Sequence, residues 1–187
     1  MTVAAPAPPL ERRSPRWLAL PVFLFALVAL TVGLLAREVG GPRGKYFDLF
    51  FSDTLHMKAW LATAAVAFGV FQLTTAAWIY GKLPWRKPVW INAAHRWSGR
   101  LAFAFTVPVA YHCIFQLGFQ TGTTRSYVHS LLGSAFFGAY AAKVTIVKLR
   151  RFPVPVLPVA GGLLFLVLLV VWWTSALWFF RTFEVAL

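Results

Sequence analysis

Residues 53–80 read DTLHMKAWLATAAVAFGVFQLTTAAWIY. After Asp53 the only formal charge is Lys58, and the stretch exceeds the ~20 residues a helix needs to cross a bilayer. Lipid offers no hydrogen bonds to the backbone, so such a run must satisfy its own N–H and C=O groups as a helix. Working outward, similar runs cover about 17–35, 91–117, 127–148 and 154–180. The expected fold is therefore an all-α integral membrane protein with five transmembrane helices over residues 17–187, preceded by a disordered cytoplasmic tail at 1–16. Arg12, Arg13 and Arg16 resemble the basic start of a secretory signal. The apolar run after them is longer than the usual ~7–15 residues and lacks a small-x-small cleavage pattern, so it reads as an uncleaved helix.

Composition agrees. The 187 residues are 59% hydrophobic and 17% aromatic, above the roughly 45–50% apolar content of soluble domains. The net charge of +13 invites a nucleic-acid reading, but the positive residues sit in loops between apolar spans, and topology explains them better. Twelve of the 18 Lys and Arg residues fall on one side: Arg12, Arg13, Arg16, Lys82, Arg86, Lys87, Arg96, Arg100, Lys143, Lys148, Arg150 and Arg151. That side is expected to be cytoplasmic, with the N-terminus, and the C-terminus extracytoplasmic in a bacterial plasma membrane. No carboxylate falls mid-span, which weighs against a proton pump. No internal repeat is visible, which weighs against an inverted-repeat transporter. The single Cys113 excludes an internal disulfide. Soluble-enzyme motifs such as phosphate-binding or dinucleotide glycine loops are missing.

Ionisable side chains inside membrane spans read as functional by default, and the chain has four histidines. His56 opens the second span and His129 opens the fourth. These spans run in the same direction, so both imidazoles lie within about 5 Å of matched helix starts. Helices running the same way sit diagonally across a small antiparallel bundle, where two imidazoles can clamp a flat ring as axial ligands of a b-type haem iron. His112 lies near the outer end of the third span. Pro108, four residues earlier, frees the Ala104 carbonyl and bends the helix, which would aim His112 toward the core as an alternative partner of His129. His95, 17 residues before His112 and so about 25 Å away along a helix, lies at the inner end. It lacks a second inner histidine and reads as an interface residue. The expected cofactor is thus one haem b per chain, with His129 and His56 (or His112) as axial ligands. Gly133, one turn after His129, leaves room for a ring face, as Gly99, Gly138 and Gly69 also would; close helix packing is the competing reading. Lys58, Arg125 and Asp53 stand where propionates or a quinone head-group would be held.

The residues also carry a resemblance. YVHSLLG (127–133) resembles the His-Ser-x-x-Gly segment of the cytochrome b561 family, and LHMKAW (55–60) with Phe68, Gly69, Gln72 and Tyr80 resembles that family's first ligand helix. NAAHRWSG (92–99) places His95 where the family has an inner ligand. The resemblance covers residues 53 to about 180. It implies that spans 2–5 form a four-helix haem-binding bundle with His56 and His129 as the outer pair, carrying electrons from ascorbate or quinol. The chain departs from it: the fifth span has no histidine to pair with His95, and His112 is extra.

The expected function is a membrane b-type cytochrome with its haem near the extracytoplasmic face. It would exchange electrons between quinol, or a redox partner, and an outer-side acceptor as a subunit of a larger complex. Expected partners are the lipid bilayer, other membrane or extracytoplasmic redox subunits, quinone and a second copy of the chain; nucleic acid is not expected. A cofactor-free anchor subunit is the main alternative. Copper handling through His56–Met57 and His112–Cys113 is a third reading, weakened because neighbours on a helix point about 100° apart.

Overall fold

The computed structural model describes residues 18–41, 46–149, 152–153 and 155–183. The expected tail at 1–16 and Trp17, with Arg43, Lys45, Arg150, Arg151, Val154 and Glu184, lie outside the described residues. Five helices carry the chain: α1 (Ala19–Val39), α2 (Thr54–Ile79), α3 (Ile91–Tyr111), α4 (Thr124–Leu149) and α5 (Val156–Trp172). Two of them change pitch near their ends. α3 continues as a π-helix over His112–Leu117, and α5 as a π-helix over Trp173–Leu177 followed by a last α turn, Trp178–Thr182. All five are long and apolar enough to span a bilayer.

The outer surface confirms the solvent. Val159, Leu163 and Leu166 of α5 are more than half exposed, while Thr75, Ser98 and Thr106 are buried. Apolar outside and polar inside is the reverse of a water-soluble core, and it makes the chain an integral membrane protein.

Local chemistry explains the element boundaries. Asp53 caps α2 by accepting the backbone N–H groups of Leu55 (2.7 Å) and His56 (2.9 Å). α4 starts at Thr124, ahead of the expected 127. Thr123 Oγ1 accepts the Ser126 N–H at 3.1 Å and the Ser126 hydroxyl accepts the Thr123 N–H at 3.1 Å, so what reads as a turn is a reciprocal cap. α1 runs four residues past Leu35, carrying Arg37 and Glu38 at its end. α5 spans 156–182 with its π turn and last turn included.

The helices form a ring. α2 packs on α3, α2 on α5, α5 on α4 and α4 on α1, while the π end of α3 closes against α1. α2 and α4 are not a principal pair, which places them diagonally as expected. The expected four-helix set gains a fifth wall, because α1 packs on α4 as closely as α2 packs on α3. Gly138 permits this: a Cβ there would collide with the Phe25 carbonyl and lie 3.0 Å from Ala29. α3 and α4 meet through rings instead, with Phe103 stacked on Tyr140 at 4.0 Å and edge-on to Phe137 at 6.1 Å. At the α1 and α3 ends, Gly118 adopts φ +71° and lets the Phe119 N–H reach the Ala36 carbonyl at 3.1 Å.

Candidate functional site

A cavity of roughly 420 Å³ opens between the helices at the end that holds the start of α4. All five helices line it. Val32 and Ala36 come from α1, Lys58 and Ala62 from α2, and Thr106 and Cys113 from α3 and its π extension. His129, Gly133 and Phe137 come from α4, and Thr174 and Phe179 from the end of α5. Both π-helices contribute to this wall. A π turn widens a helix and displaces the residues around it, and such turns gather at functional sites.

His129 is held from one side. Its Nδ1 lies 3.1 Å from the Thr174 hydroxyl and 3.2 Å from the Val171 carbonyl. The Thr174 hydroxyl donates to the Val170 and Val171 carbonyls at 2.9 and 3.0 Å, so it accepts from His129. That sets a proton on Nδ1 and leaves Nε2 as a lone pair. Among the described residues Nε2 has no hydrogen-bond partner. An imidazole anchored through one N–H, with the other nitrogen free, is the arrangement that orients histidines at metal centres.

The structure sorts the remaining histidines the same way. His56 Nδ1 sits 2.5 Å from the Asp53 carboxylate, leaving its Nε2 free. His56 does not line the cavity; its ring packs edge-on at 5.1 Å against Phe179, which does. His112 is closed. Its Nδ1 donates to the Pro108 carbonyl at 2.9 Å and its Nε2 accepts the Phe47 N–H at 3.3 Å. Its ring is 1% exposed, 4.4 Å from Phe47 and 6.0 Å from Tyr46. The expected re-aiming by Pro108 therefore takes a different direction: Pro108 lends its own carbonyl to His112, which faces the segment after α1 instead of the cavity. The structure brings His129, Lys58, Arg125 and Gly133 to one cavity, sets His56 behind Phe179, and places His112 elsewhere.

Among the described residues Lys58 and Arg125 are the charged members of the lining, with no carboxylate beside them, and both lie within electrostatic reach of His129. Arg125 Nη1 donates to the Thr174 carbonyl at 2.6 Å, and the guanidinium lies 3.8 Å over the Trp178 ring. Thr174 thus holds both His129 and Arg125. A Cβ at Gly133 would meet nothing within 4 Å, so helix packing does not require this glycine. The three other glycines singled out in the sequence serve packing. Gly69 faces the Phe165 ring, Gly99 faces Gln72, and Gly138 faces α1. Among the described residues no group of three or more His, Cys, Asp or Glu is placed to hold a metal ion. Thr174, which anchors His129, and Thr75, whose hydroxyl lies 2.7 Å from the Nδ1 of His95, are the histidine partners that sequence reasoning missed. Each lies on a different helix from its histidine, and spacing along the chain carries no sign of the pairing.

The family comparison adds one fact. The profile of the family of unknown function DUF6529 matches residues 18–187. The chain belongs to that family. The match covers all five helices, including α1, so the fifth wall of the cavity is part of the family's unit. No curated protein and no solved structure matches the chain.

Proposed function

We propose that this DUF6529 protein is a membrane-embedded b-type cytochrome holding one haem in the His129 cavity. The single observation that carries the reading is His129: fixed through Nδ1 by Thr174 and Val171, free at Nε2, and lining a cavity of roughly 420 Å³. The resemblance of residues 127–133 to the cytochrome b561 segment supports it. The donor set fits one axial position directly. For the second, the free Nε2 favours His56, since both nitrogens of His112 are already engaged. Gly133 leaves space beside His129, and Lys58 with Arg125 supplies positive charge matching two propionates. A bound haem would supply one-electron redox chemistry. The chain's own residues orient the imidazole, exclude water with Phe137 and Phe179, and balance anionic charge.

The remaining parts of the reading follow from topology. The distribution of Lys and Arg supports a cytoplasmic N-terminus and a cavity near the extracytoplasmic face, in what we take to be a bacterial plasma membrane. Electrons would pass between quinol or a redox subunit and an outer-side acceptor, with the chain acting inside a larger complex.

The test is a dithionite-reduced minus air-oxidised visible spectrum of detergent-purified protein expressed with haem available, with haem quantified per chain. One haem b per chain is expected. Folded protein with no haem overturns the reading and leaves a structural anchor subunit; two haems per chain would assign a second site at His95.

A further inference from the structure

A second hollow, roughly 260 Å³, lies on the outside of the bundle between the first turn of α4 and the end of α5. Its walls include Arg125, Val128, Trp173, Thr174, Trp178 and Arg181. The two arginines face it from different helices. Arg125 lies 3.8 Å over Trp178, and Arg181 lies 5.8 Å over Trp173. Among the described residues neither pairs with a carboxylate; the ion pair found there is Asp53 with His56. Only one Arg125 contact goes to a backbone oxygen, Thr174, so most of its five N–H donors remain for another acceptor. Trp173 is 58% exposed and belongs to the lipid-facing surface of α5.

These features describe an amphipathic site. Arginines at helix ends stand at head-group depth, and tryptophans there form the interfacial belt. Guanidinium groups match phosphate oxygens by paired, charge-assisted hydrogen bonds. The start of a long helix adds its partial positive charge. The apolar walls of Val128, Trp173 and Trp178 continue the hollow toward the hydrocarbon, which a free anion would not use. We infer that this groove binds one anionic phospholipid, its phosphate bridging Arg125 and Arg181 and its chains lying along the tryptophan face. The inference does not need an occupied cavity, but it shares Arg125 with the haem reading, because that residue lines both hollows. Arg125 and Thr174 belong to both the groove wall and the cavity wall, so an occupant here would press on the group that anchors His129.

Arg181 touches the groove and not the cavity, so it is the discriminating position. The experiment is native mass spectrometry of the full chain released from micelles, titrated with phosphatidylglycerol or phosphatidylcholine, with lipid adducts counted per chain. The expected result is one retained phosphatidylglycerol, held about tenfold more tightly than phosphatidylcholine, with the preference lost in Arg181→Gln and largely kept in Arg181→Lys. Arg100→Gln, at an arginine of α3 that does not line the groove, should keep the full preference. Equal retention of the two lipids, or an unchanged preference in Arg181→Gln, overturns the inference. Thermal stabilisation by inorganic phosphate equal to that by phosphatidylglycerol also overturns it, because the site would then recognise a free anion. If Arg181→Gln does not fold, as judged by its melt in phosphatidylcholine, the decision passes to the lysine variant and the wild type: a preference largely kept in folded Arg181→Lys supports the inference, and its loss there, or equal retention of the two lipids by the wild type, overturns it.

Discussion

At one end of the bundle the Nδ1 of His129 meets the Thr174 hydroxyl at 3.1 Å; at the other end the Nδ1 of His95 meets the Thr75 hydroxyl at 2.7 Å. Each threonine donates back to its own helix, Thr174 to Val170 at 2.9 Å and Thr75 to Phe71 at 2.9 Å. The same three-part unit, imidazole to hydroxyl to carbonyl, is thus built twice across different helix pairs. Around His129 the two π turns part the helices and a cavity forms. Around His95 the space is filled by Gln72, whose amide donates to the Ser98 hydroxyl at 2.6 Å and to the His95 carbonyl. Gly99 makes that filling possible, since a Cβ there would stand 3.0 Å from the Gln72 amide oxygen. An oriented imidazole is therefore common to both ends, and what differs is the cavity that opens beside His129.

The largest expected effect breaks the comparison at its first member. His129→Ala should abolish haem retention, seen as loss of the reduced bands per chain, whereas His95→Ala should leave haem per chain unchanged. A normal six-coordinate spectrum in His129→Ala would end the assignment, and loss of half the haem in His95→Ala would show that both units bind iron. Next come the orienting threonines. Thr174→Val removes the Nδ1 acceptor and should weaken haem affinity about 10–100-fold, the usual cost of losing a group that orients a ligand. Thr75→Val should leave haem alone and lower stability by about 1–3 kcal/mol, because it strands a buried N–H; a thermal melt alongside the haem titration separates the two outcomes.

The sequence made the five spans and the diagonal placement of α2 and α4 legible, because hydropathy and helical rise act along the chain. It did not make legible what depends on the neighbour across a gap. His112 looked available because Pro108 bends α3, but the outcome is set by the Phe47 N–H, 65 positions away. The expected four-helix bundle of spans 2–5 leaves α1 out, yet Gly33 and Gly138 draw it against α4 until it lines the cavity. The π turns were hidden for the same reason: nothing in HCIFQL or WTSAL marks an α-helix that will widen.

His112 supplies a sharper contrast, since it is the most buried imidazole and has no free nitrogen. His112→Phe should keep haem per chain at the wild-type level while costing about 1–3 kcal/mol of stability, as the Phe47 N–H loses its acceptor inside the protein. Haem loss without a stability change would instead place His112 among the ligands and return His56 to the role of an interface residue.

The smallest effect concerns how His56 is aimed. The His56 backbone N–H, opposed in part by burial and aided by the His56 side chain and the Leu55 N–H, holds the Asp53 carboxyl below its usual 3.8. A depressed carboxyl contributes stability that is present above its unfolded value and is lost as the pH falls through the folded one. Acidification below about pH 4 should therefore loosen the start of α2 by protonating Asp53. Asp53→Ala should cost about 0.5–2 kcal/mol at neutral pH, as expected for a lost helix cap, and should remove this acid-dependent component from melts recorded between pH 3 and 6. Asp53→Asn can still cap the helix, but it replaces the carboxylate facing His56 Nδ1. If the two variants melt alike yet both perturb the haem spectrum, Asp53 acts through His56; if only the melts change, the carboxylate serves the helix alone and the second axial position must be sought elsewhere.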